Sequence, residues 1–207
     1  MVDTQVRPSD VTKYPVIEAM LSVPRERFVP DALRAAAYAD AAIDLGAGRS
    51  MLEPRTLAKL LDSLAISPDE MVLDLGCGLG YSAAVIARMA DFVVAVEEDD
   101  AMASDAEQRL GDSDADNVAV IAGPLTAGDA RHGPYDVIVV EGAVEEMPAA
   151  LLDQLKDGGR IAAIFADGRV GAVRVGYKRD GHMDWRFVFN AAAPVLPGFE
   201  RAREFAL

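Results

Sequence analysis

The sequence predicts an α/β protein built on a mostly parallel β-sheet with helices on both faces. Two patterns support this fold class. From residue 54 onward, short continuous runs of Val, Ile and Leu alternate with helical segments, as in parallel strands buried on both faces. Near the C-terminus, two strand-like segments follow each other with no helix between them. This change of pattern predicts an antiparallel finish to the parallel sheet.

The predicted elements follow in a regular order. Residues 1–45 are expected to be helical and irregular, because prolines interrupt them at positions 8, 15, 24 and 30. A helix is predicted to begin at Pro54, since leucines follow at helical spacing at positions 57, 60, 61 and 64. The predicted strands are 71–75, 92–97, 117–123, 135–142 and 160–166, and the two final segments are 170–180 and 183–191. The predicted helices between the strands are 81–90, 100–110 and 148–155.

Composition narrows the possible functions. A formal net charge of −14 argues against a nucleic-acid partner, which normally requires a concentrated basic face. No apolar run reaches the ~18 residues of a membrane span, and the first residues lack the apolar core of a signal peptide. Cys77 is the only cysteine and histidine occurs twice, so neither a disulfide nor a zinc-finger site is expected. We therefore expect a cytoplasmic protein that binds no nucleic acid, no membrane and no metal.

The most informative motif follows the first predicted parallel strand, where DLGCGLGY (74–81) leads into a helix. Gly76, Gly78 and Gly80 permit a tight turn and let a ligand approach bare backbone near a helix N-terminus. Glycine strings also occur in strand–helix turns that bind nothing. Here the spacing differs from the G-x-G-x-x-G of dinucleotide sites, and Asp74 precedes it. A carboxylate at that place suits a positively charged ligand better than one carrying phosphates.

An acidic pair ends the next predicted strand, at Glu97 and Glu98. A carboxylate there can accept hydrogen bonds from both hydroxyls of a ribose. A ligand with a ribose, a positive charge and no phosphate is S-adenosyl-L-methionine, which we predict as the cofactor. A nicotinamide dinucleotide is the alternative, disfavoured by the glycine spacing. Cys77 is interpreted as a small apolar filler, because no histidine lies near it in the sequence.

Four segments resemble the protein-L-isoaspartate O-methyltransferase family. VIEAMLSVPRERFVP (16–30) resembles its "AM…VPRE.FVP" string, and AYADAAIDLGAGRSMLEP (37–54) resembles "AY.D.pLpIG.GQTISQP". VLDLGCGLGYSAAVIA (72–87) resembles its cofactor loop, and GPYDVIVVEGA…LLDQLKDGGRI (133–161) resembles "aPYD.Iivt.a…L..QL..GG.l". The resemblance implies a Rossmann-like seven-stranded methyltransferase sheet with a small helical N-terminal extension. It also implies methyl transfer to the α-carboxylate of an isoaspartyl residue.

The resemblance divides the chain into residues 1–53, a helical segment with the substrate-side loop, and residues 54–207, the cofactor-binding domain. An isoaspartyl carboxylate is already ionised at neutral pH, so its methylation requires alignment and exclusion of water instead of a general base. The expected acceptor is an isoaspartyl-containing protein or peptide, or another carboxylate. We expect a monomer or a weak homo-oligomer.

One departure from the family's pattern lies in the substrate-side loop. Arg49, Ser50, Met51 and Leu52 align with the family's Gln-Thr-Ile-Ser, so Leu52 replaces its catalytic serine. We expect Arg49 and Ser50 to contact the acceptor, because a guanidinium binds a carboxylate through two hydrogen bonds. Ser50 and Met51 are also expected at the cofactor. The alternative for Arg49 is a position in solvent or an ion pair with Glu53.

A second departure concerns the adenine. The family's GDG, whose Asp reaches the adenine amino group, is here Gly123-Pro124-Leu125. The adenine is then expected to be held by packing and backbone groups around Leu125. Glu141, at the end of the fourth parallel strand, is an additional carboxylate that is expected to contact cofactor or acceptor, or else to be solvated at the rim. The C-terminal LPGFERAREF (196–205) does not resemble the family's usual ending.

The sequence thus favours an S-adenosylmethionine-dependent protein-L-isoaspartate (D-aspartate) O-methyltransferase. Two alternatives stay open. One is a diverged methyltransferase with a different acceptor, because the substrate-side loop departs from the family. The other is a non-catalytic module that keeps the cofactor pocket.

Overall fold

A computed structural model describes residues 1–168 and 170–201, and its main element is a seven-stranded mixed sheet. The strands are β1 (Ile43–Gly46), β2 (Arg49–Met51), β3 (Met71–Leu75), β4 (Phe92–Glu97), β5 (Val118–Ala122), β6 (Tyr135–Val144), β7 (Leu155–Phe165), β8 (Ala172–Arg179) and β9 (His182–Asn190). The α-helices are α1 (Tyr14–Ser22), α2 (Pro54–Leu64), α3 (Tyr81–Ala87), α4 (Asp100–Gly111) and α5 (Ala149–Asp153). Residues 169 and 202–207 lie outside this description. The predicted domain 54–207 and the segment 196–205 both extend into the second of these ranges.

The N-terminal segment consists of α1 and short helical turns. All four prolines predicted to interrupt it, Pro8 in the 3-10 turn Arg7–Ser9 included, stand at the start of a turn or helix, where a missing N–H leaves no bond unmade. Pro15 is in the first turn of α1, while Pro24 and Pro30 precede 3-10 turns at Arg25–Phe28 and Asp31–Ala36. The prolines therefore divide this segment into short pieces.

The strand order in the sheet is β5-β4-β3-β6-β7-β8-β9. The first five strands are parallel, β8 runs against β7, and β9 runs against β8. This confirms the predicted parallel sheet with its antiparallel finish. The chain reverses its winding at β3, since β4 and β5 lie on one side of this strand and β6 on the other. Crevices for ligands open at the carboxyl ends of strands at such a reversal.

Apolar side chains of alternate residues in the strands pack on opposite faces of the sheet, as the pleat requires. One face packs against α1, α2 and α3 and includes Val72, Val93 and Val137. The other includes Leu73, Val94 and Ile138 and is covered by α5 and the segment around Leu196 and Phe199. The predicted helices on both faces are confirmed. Among the described residues, no helix combines the length and apolar composition needed to cross a membrane.

Several predicted boundaries differ from the structure by a few residues. The helix predicted for 148–155 ends at Asp153, and β7 begins at Leu155 instead of 160. Leu155 pairs with Tyr135 across the sheet, so the chain is already extended before its glycine pair. The helix predicted for 81–90 ends at Ala87. Pairing between strands, which periodicity does not reveal, sets the first of these boundaries.

The loop between the N-terminal segment and α2 is a small β-hairpin. β1 and β2 pair with each other in a separate two-stranded antiparallel sheet. Gly46, Ala47 and Gly48 all have positive φ at its tip and are exposed. We call residues 43–51 the β1–β2 hairpin; it lies over the carboxyl edge of the main sheet.

Candidate active site at the carboxyl edge of the sheet

The turn between β3 and α3 forms the floor of a crevice. Gly76, Gly78 and Gly80 have φ of +83°, +55° and +94°, a region that favours glycine. The Gly76 N–H donates to the carbonyl oxygen of Val96 at 2.8 Å, and the Gly80 N–H donates to that of Cys77 at 2.8 Å. A Cβ at Gly80 would lie 3.2 Å from the Leu110 side chain. Backbone hydrogen bonds and close packing therefore hold this glycine turn in place.

Glu97 ends β4 beside the glycine turn and is fully buried. Its Oε2 accepts from the Gly78 N–H at 2.8 Å, and its Oε1 accepts from the N–H groups of Glu98 and Asp99 at 2.9 and 3.3 Å. The neighbouring Glu98 contributes this N–H, while its own side chain is exposed. The two residues of the predicted acidic pair thus occupy different environments.

Arg49 reaches the same carboxylate from the β1–β2 hairpin. Its Nε and Nη2 lie 3.2 and 3.1 Å from Oε1 and Oε2 of Glu97, and only 3% of the Arg49 side chain is exposed. Both surroundings considered as the alternative for Arg49, solvent and an ion pair with Glu53, are therefore wrong. Glu53 instead pairs with Arg55 at 3.0 Å. A contact between residues 48 positions apart could not be inferred from local pattern.

Two more buried carboxyl groups lie at the crevice: Glu141 lines it, and Asp74 bonds to Ser82, which also lines it. Asp74 Oδ2 accepts from the Ser82 hydroxyl at 2.7 Å, whereas Asp74 Oδ1 and Glu141 Oε1 have no hydrogen-bond partner among the described residues. Burial raises the pKa of Asp74 to about 7, with a further contribution from the charge of Glu97. Burial likewise raises the pKa of Glu141 well above its ordinary value. Two carboxyl groups thus stand in the crevice with oxygens left to be satisfied.

The structure corrects one possibility for Glu141, because the side chain is not solvated at the rim; only 6% of the residue is exposed. The register between β6 and β7 shifts between Val139 and Ala143, so Glu141 lies at an irregularity in the strand. Such irregularities re-aim side chains next to functional sites. Glu141 consequently lines the crevice together with residues of the hairpin and of the glycine turn.

Arg25 supports the crevice from outside, a role that local sequence pattern does not reveal. Its guanidinium donates to the carbonyl oxygens of Ala37 and Leu52 at 2.8 and 2.7 Å, and it lies 4.7 Å from the centre of the Tyr81 ring. Arg25 is fully buried. The available signal was its place within the family-like string 16–30. By binding the Leu52 carbonyl, Arg25 fixes the chain just after the hairpin.

The hairpin and the segment after it form the roof of the crevice. Met51 and Leu52 are buried and Ser50 is partly exposed, and all three line the crevice. The space enclosed between roof and floor is about 10 Å³, close to the minimum for one water molecule. On its outer side the hairpin borders an open groove of about 460 Å³ with Pro194. Ser50 faces both spaces.

Leu125 and Cys77 complete the set of predicted residues. Leu125 is buried and begins a 3-10 turn, Leu125–Ala127, directly after Pro124. Cys77 is buried within the glycine turn, and burial raises the pKa of its thiol well above the ordinary value. A thiol in that environment stays protonated, in agreement with its interpretation as a filler.

Comparison with known proteins identifies the family. The model of the protein-L-isoaspartate(D-aspartate) O-methyltransferase family matches residues 2–190. This chain belongs to that family. It is 37% identical to the protein-L-isoaspartate O-methyltransferase of Herpetosiphon aurantiacus over 167 residues, covering 81% of this chain and 75% of the relative. With the Vibrio atlanticus protein of the same name it shares 33% identity, over 88% of each chain.

Solved structures agree on the fold. One protein-L-isoaspartate O-methyltransferase superposes with a TM-score of 0.82 at 25% identity over 93% of this chain. The present chain spans 63% of the length of that protein. A Plasmodium falciparum structure in complex with S-adenosyl-L-homocysteine superposes with a TM-score of 0.80 at 18% identity, covering 92% of this chain and 94% of that one. The second likeness shows the common fold.

Proposed function

We propose that this protein is a protein-L-isoaspartate O-methyltransferase that uses S-adenosyl-L-methionine. The observation that carries the proposal is the acidic crevice at the winding reversal, where Glu97, Asp74 and Glu141 surround a glycine turn. Its buried carboxyl groups outnumber the one guanidinium, of Arg49, that reaches into it. Such a crevice suits a ligand with a ribose and positive charge and disfavours phosphates. The family match adds independent support.

The donor set of the crevice fits S-adenosylmethionine. The unpaired oxygens of Asp74 and Glu141 are costly to bury, and a cationic ligand would satisfy them. We assign Glu97 to the ribose hydroxyls and Asp74 to the positively charged end. The backbone of the glycine turn would lie beneath the bound cofactor. The remaining assigned contacts are Glu98 and Leu125 near the adenine and Ser50 and Met51 near the methyl end. The Plasmodium falciparum structure, with S-adenosyl-L-homocysteine bound, supports this cofactor class.

The chemistry demands little of the protein's acid–base groups. When bound, S-adenosylmethionine supplies a methyl group on a positively charged sulfur, which passes to the acceptor oxygen while the sulfur keeps the electron pair. An ionised acceptor carboxylate needs no base, so alignment and exclusion of water are the main tasks. Leu52, Leu57 and Tyr81 line the crevice and exclude water. Ser50 is assigned to the acceptor side. Arg49 can join it there only after leaving Glu97.

The acceptor is proposed to approach through the groove outside the hairpin. Its volume of about 460 Å³ lies within the usual range of ligand sites, roughly 300–1,000 Å³. We propose an isoaspartyl-containing protein or peptide as the acceptor class. A different carboxylate acceptor is the second candidate. It is favoured by Leu52, a buried apolar side chain where the family pattern has serine.

The other expectations from the sequence are kept as proposals. We propose a cytoplasmic protein, monomeric or weakly self-associating. Residues 1–53 supply the acceptor side of the site and the cofactor contacts of Ser50 and Met51, and the remainder supplies the rest of the cofactor side. The net charge of −14 favours partners other than nucleic acids.

Methyl transfer to a synthetic peptide tests the proposal. The enzyme is incubated with S-adenosylmethionine labelled on its methyl group and an isoaspartyl peptide, with the normal aspartyl isomer as control. We expect label in the isoaspartyl peptide only. Thermal-shift titration with S-adenosyl-L-homocysteine and with NAD runs in parallel, and stabilisation by the former alone is expected. Cofactor binding without transfer to either peptide would favour the second acceptor class, while stabilisation by NAD alone would refute the cofactor.

A further inference from the structure

The Arg49–Glu97 ion pair uses the carboxylate that the proposed function assigns to the ribose. Five N–H groups point at this carboxylate: Nε and Nη2 of Arg49 and the backbone N–H groups of Gly78, Glu98 and Asp99. A carboxylate offers about four acceptor sites. Two ribose hydroxyls can therefore bind Glu97 only when the guanidinium has left.

Side chains of the β1–β2 hairpin also occupy the surface of the glycine turn. A Cβ built on Gly76 would overlap Nη2 of Arg49, and one built on Gly78 would lie 2.7 Å from Cδ1 of Leu45. These two side chains thus lie directly on the bare backbone that the turn's glycines expose. The enclosed space of about 10 Å³ is far below the roughly 300 Å³ of the smallest usual ligand sites. Arg49 and Leu45 fill the place of a ligand.

The construction of the hairpin allows the part between its buried ends to move. β1 and β2 form a sheet separate from the main one, and the hairpin tip is exposed. Ile43 and Met51, at its two ends, are buried in the core, and between them only the side chains of Leu45 and Arg49 lie on the glycine turn, which is bonded to β4 through its backbone. The chain is fixed again at Leu52, whose carbonyl oxygen accepts from Arg25 at 2.7 Å. Rotation of a few residues between 44 and 50 would therefore withdraw Arg49 while Ile43 and Met51 stay in the core.

We propose that Arg49 is an internal competitor of the cofactor, which holds the β1–β2 hairpin closed over the glycine turn by occupying Glu97. This inference rests on the proposed function, because it takes the cofactor's ribose to bind Glu97. Binding of S-adenosylmethionine or its product then requires the hairpin to open. The apparent affinity for the cofactor is reduced by the fraction of molecules that are closed. A withdrawn Arg49 is on the acceptor side, where its guanidinium can meet a carboxylate.

The test compares Arg49→Gln with the wild type by isothermal titration with S-adenosyl-L-homocysteine and by thermal unfolding without ligand. Removing a competitor strengthens ligand binding, and we expect the dissociation constant to fall about tenfold, within the usual ~5–150-fold range of such couplings. Loss of a buried ion pair lowers stability, so the melting temperature without ligand should fall by about 5 °C or more. Opposite signs in the two measurements distinguish a competitor from an arginine that only supports the fold, whose loss would weaken both.

Two further variants make the test decisive. Arg55→Gln is the matched control, because Arg55 lies six positions away, outside the crevice, and pairs with Glu53 and Asp40. It should leave ligand affinity unchanged. Arg49→Lys keeps the charge without the paired hydrogen bonds and should lie between the wild type and Arg49→Gln; it decides the question if Arg49→Gln does not fold. If the Arg49 variants bind the ligand no more tightly than the wild type does, the proposal that Arg49 competes with the cofactor is overturned, while the proposed cofactor stands. Folded wild type and variants that all fail to bind the ligand would refute the proposed cofactor itself.

Discussion

The floor and the roof of the crevice are both short glycine-containing segments, yet they are held in different ways. The glycine turn below is tied to the main sheet through its backbone, as in the 2.8 Å hydrogen bond from the Gly76 N–H to Val96. The β1–β2 hairpin above pairs with itself, has its ends Ile43 and Met51 buried in the core, and meets the glycine turn through two side chains, Leu45 and Arg49. The floor of the crevice is therefore continuous with the main sheet, whereas the roof belongs to a separate two-stranded sheet.

This difference separates a binding surface from a gate. Backbone hydrogen bonds to a buried strand form or break with the fold, so the glycine turn is present whenever the protein is folded. Contacts made by two side chains can be exchanged for contacts with a ligand. A buried charge that loses its partner destabilises the protein. The Glu97 carboxylate therefore requires either the Arg49 guanidinium or hydrogen-bond donors of a ligand in its place. The following variants act on this contrast.

The largest effect is expected from Glu97→Ala, which removes the group shared by floor and roof. The change leaves a buried guanidinium without its partner, and we expect the free energy of unfolding to fall by about 3–5 kcal/mol. Binding of S-adenosyl-L-homocysteine should be lost. Urea denaturation and calorimetric titration measure the two effects. Glu98→Ala is the control for stability, because that side chain is exposed and its loss should change stability by less than about 0.5 kcal/mol. Similar losses for both would contradict the contrast between the two residues.

An intermediate effect, dependent on pH, is expected at Asp74. Burial raises its pKa to about 7, whereas an unfolded aspartate titrates near 4. Between these values the folded protein keeps a proton that the unfolded chain has released, so this carboxyl group's contribution to stability falls as pH rises from about 4 to about 7. The slope is on the order of 1 kcal/mol per pH unit. Asp74→Asn should remove this dependence of stability on pH.

Urea denaturation between pH 5 and pH 8 measures this contribution as the difference between the wild type and Asp74→Asn. The wild type should lose stability relative to the variant as the pH rises. Asp69→Asn, at an exposed position just before β3, makes the same chemical change outside the crevice and should change stability by less than about 0.5 kcal/mol. A difference that stays constant between pH 5 and pH 8 would show that Asp74 is ionised throughout this range.

The smallest effect is expected from Leu45→Ala, which removes the apolar contact over Gly78 and leaves the ion pair in place. Because Leu45 is only half-buried, we expect a loss of about 1 kcal/mol or less in stability. A less firmly closed hairpin should bind S-adenosyl-L-homocysteine about two to three times more tightly. Leu21→Ala on α1, where the leucine is 63% exposed, is the matched control and should leave the affinity unchanged. Weaker binding by Leu45→Ala would mean that Leu45 contacts the ligand instead of excluding it.

Local pattern predicted the floor of the crevice well and its roof poorly. Strands β3 and β4 have their predicted bounds, because short runs of buried Val, Ile and Leu between turn signals are a local property. The glycine turn and the ends of its flanking strands followed from the same signals. Glu141 lies on β6, as expected, but its burial depends on a register shift against β7 that no local pattern reveals.

The substrate-side loop shows most clearly what local sequence pattern does not predict. Its glycines and its resemblance to the family located a loop at the site, but not a hairpin with an arginine turned inward. Whether an arginine points to solvent, to Glu53 or to Glu97 depends on which groups the fold brings within about 3 Å of it. Arg25 was overlooked for the same reason, since its partners Ala37, Leu52 and Tyr81 are distant in sequence.

The sequence by itself therefore determined the sheet, the family and the place of the cofactor crevice, because each depends on periodicity, turn residues or contiguous strings. Tertiary structure decided how the crevice is filled: it buried Asp74 and Glu141 with unpaired oxygens and set Arg49 against Glu97. Burial and ion pairing are relations between groups far apart along the chain. Their energies arise only when folding removes those groups from water together.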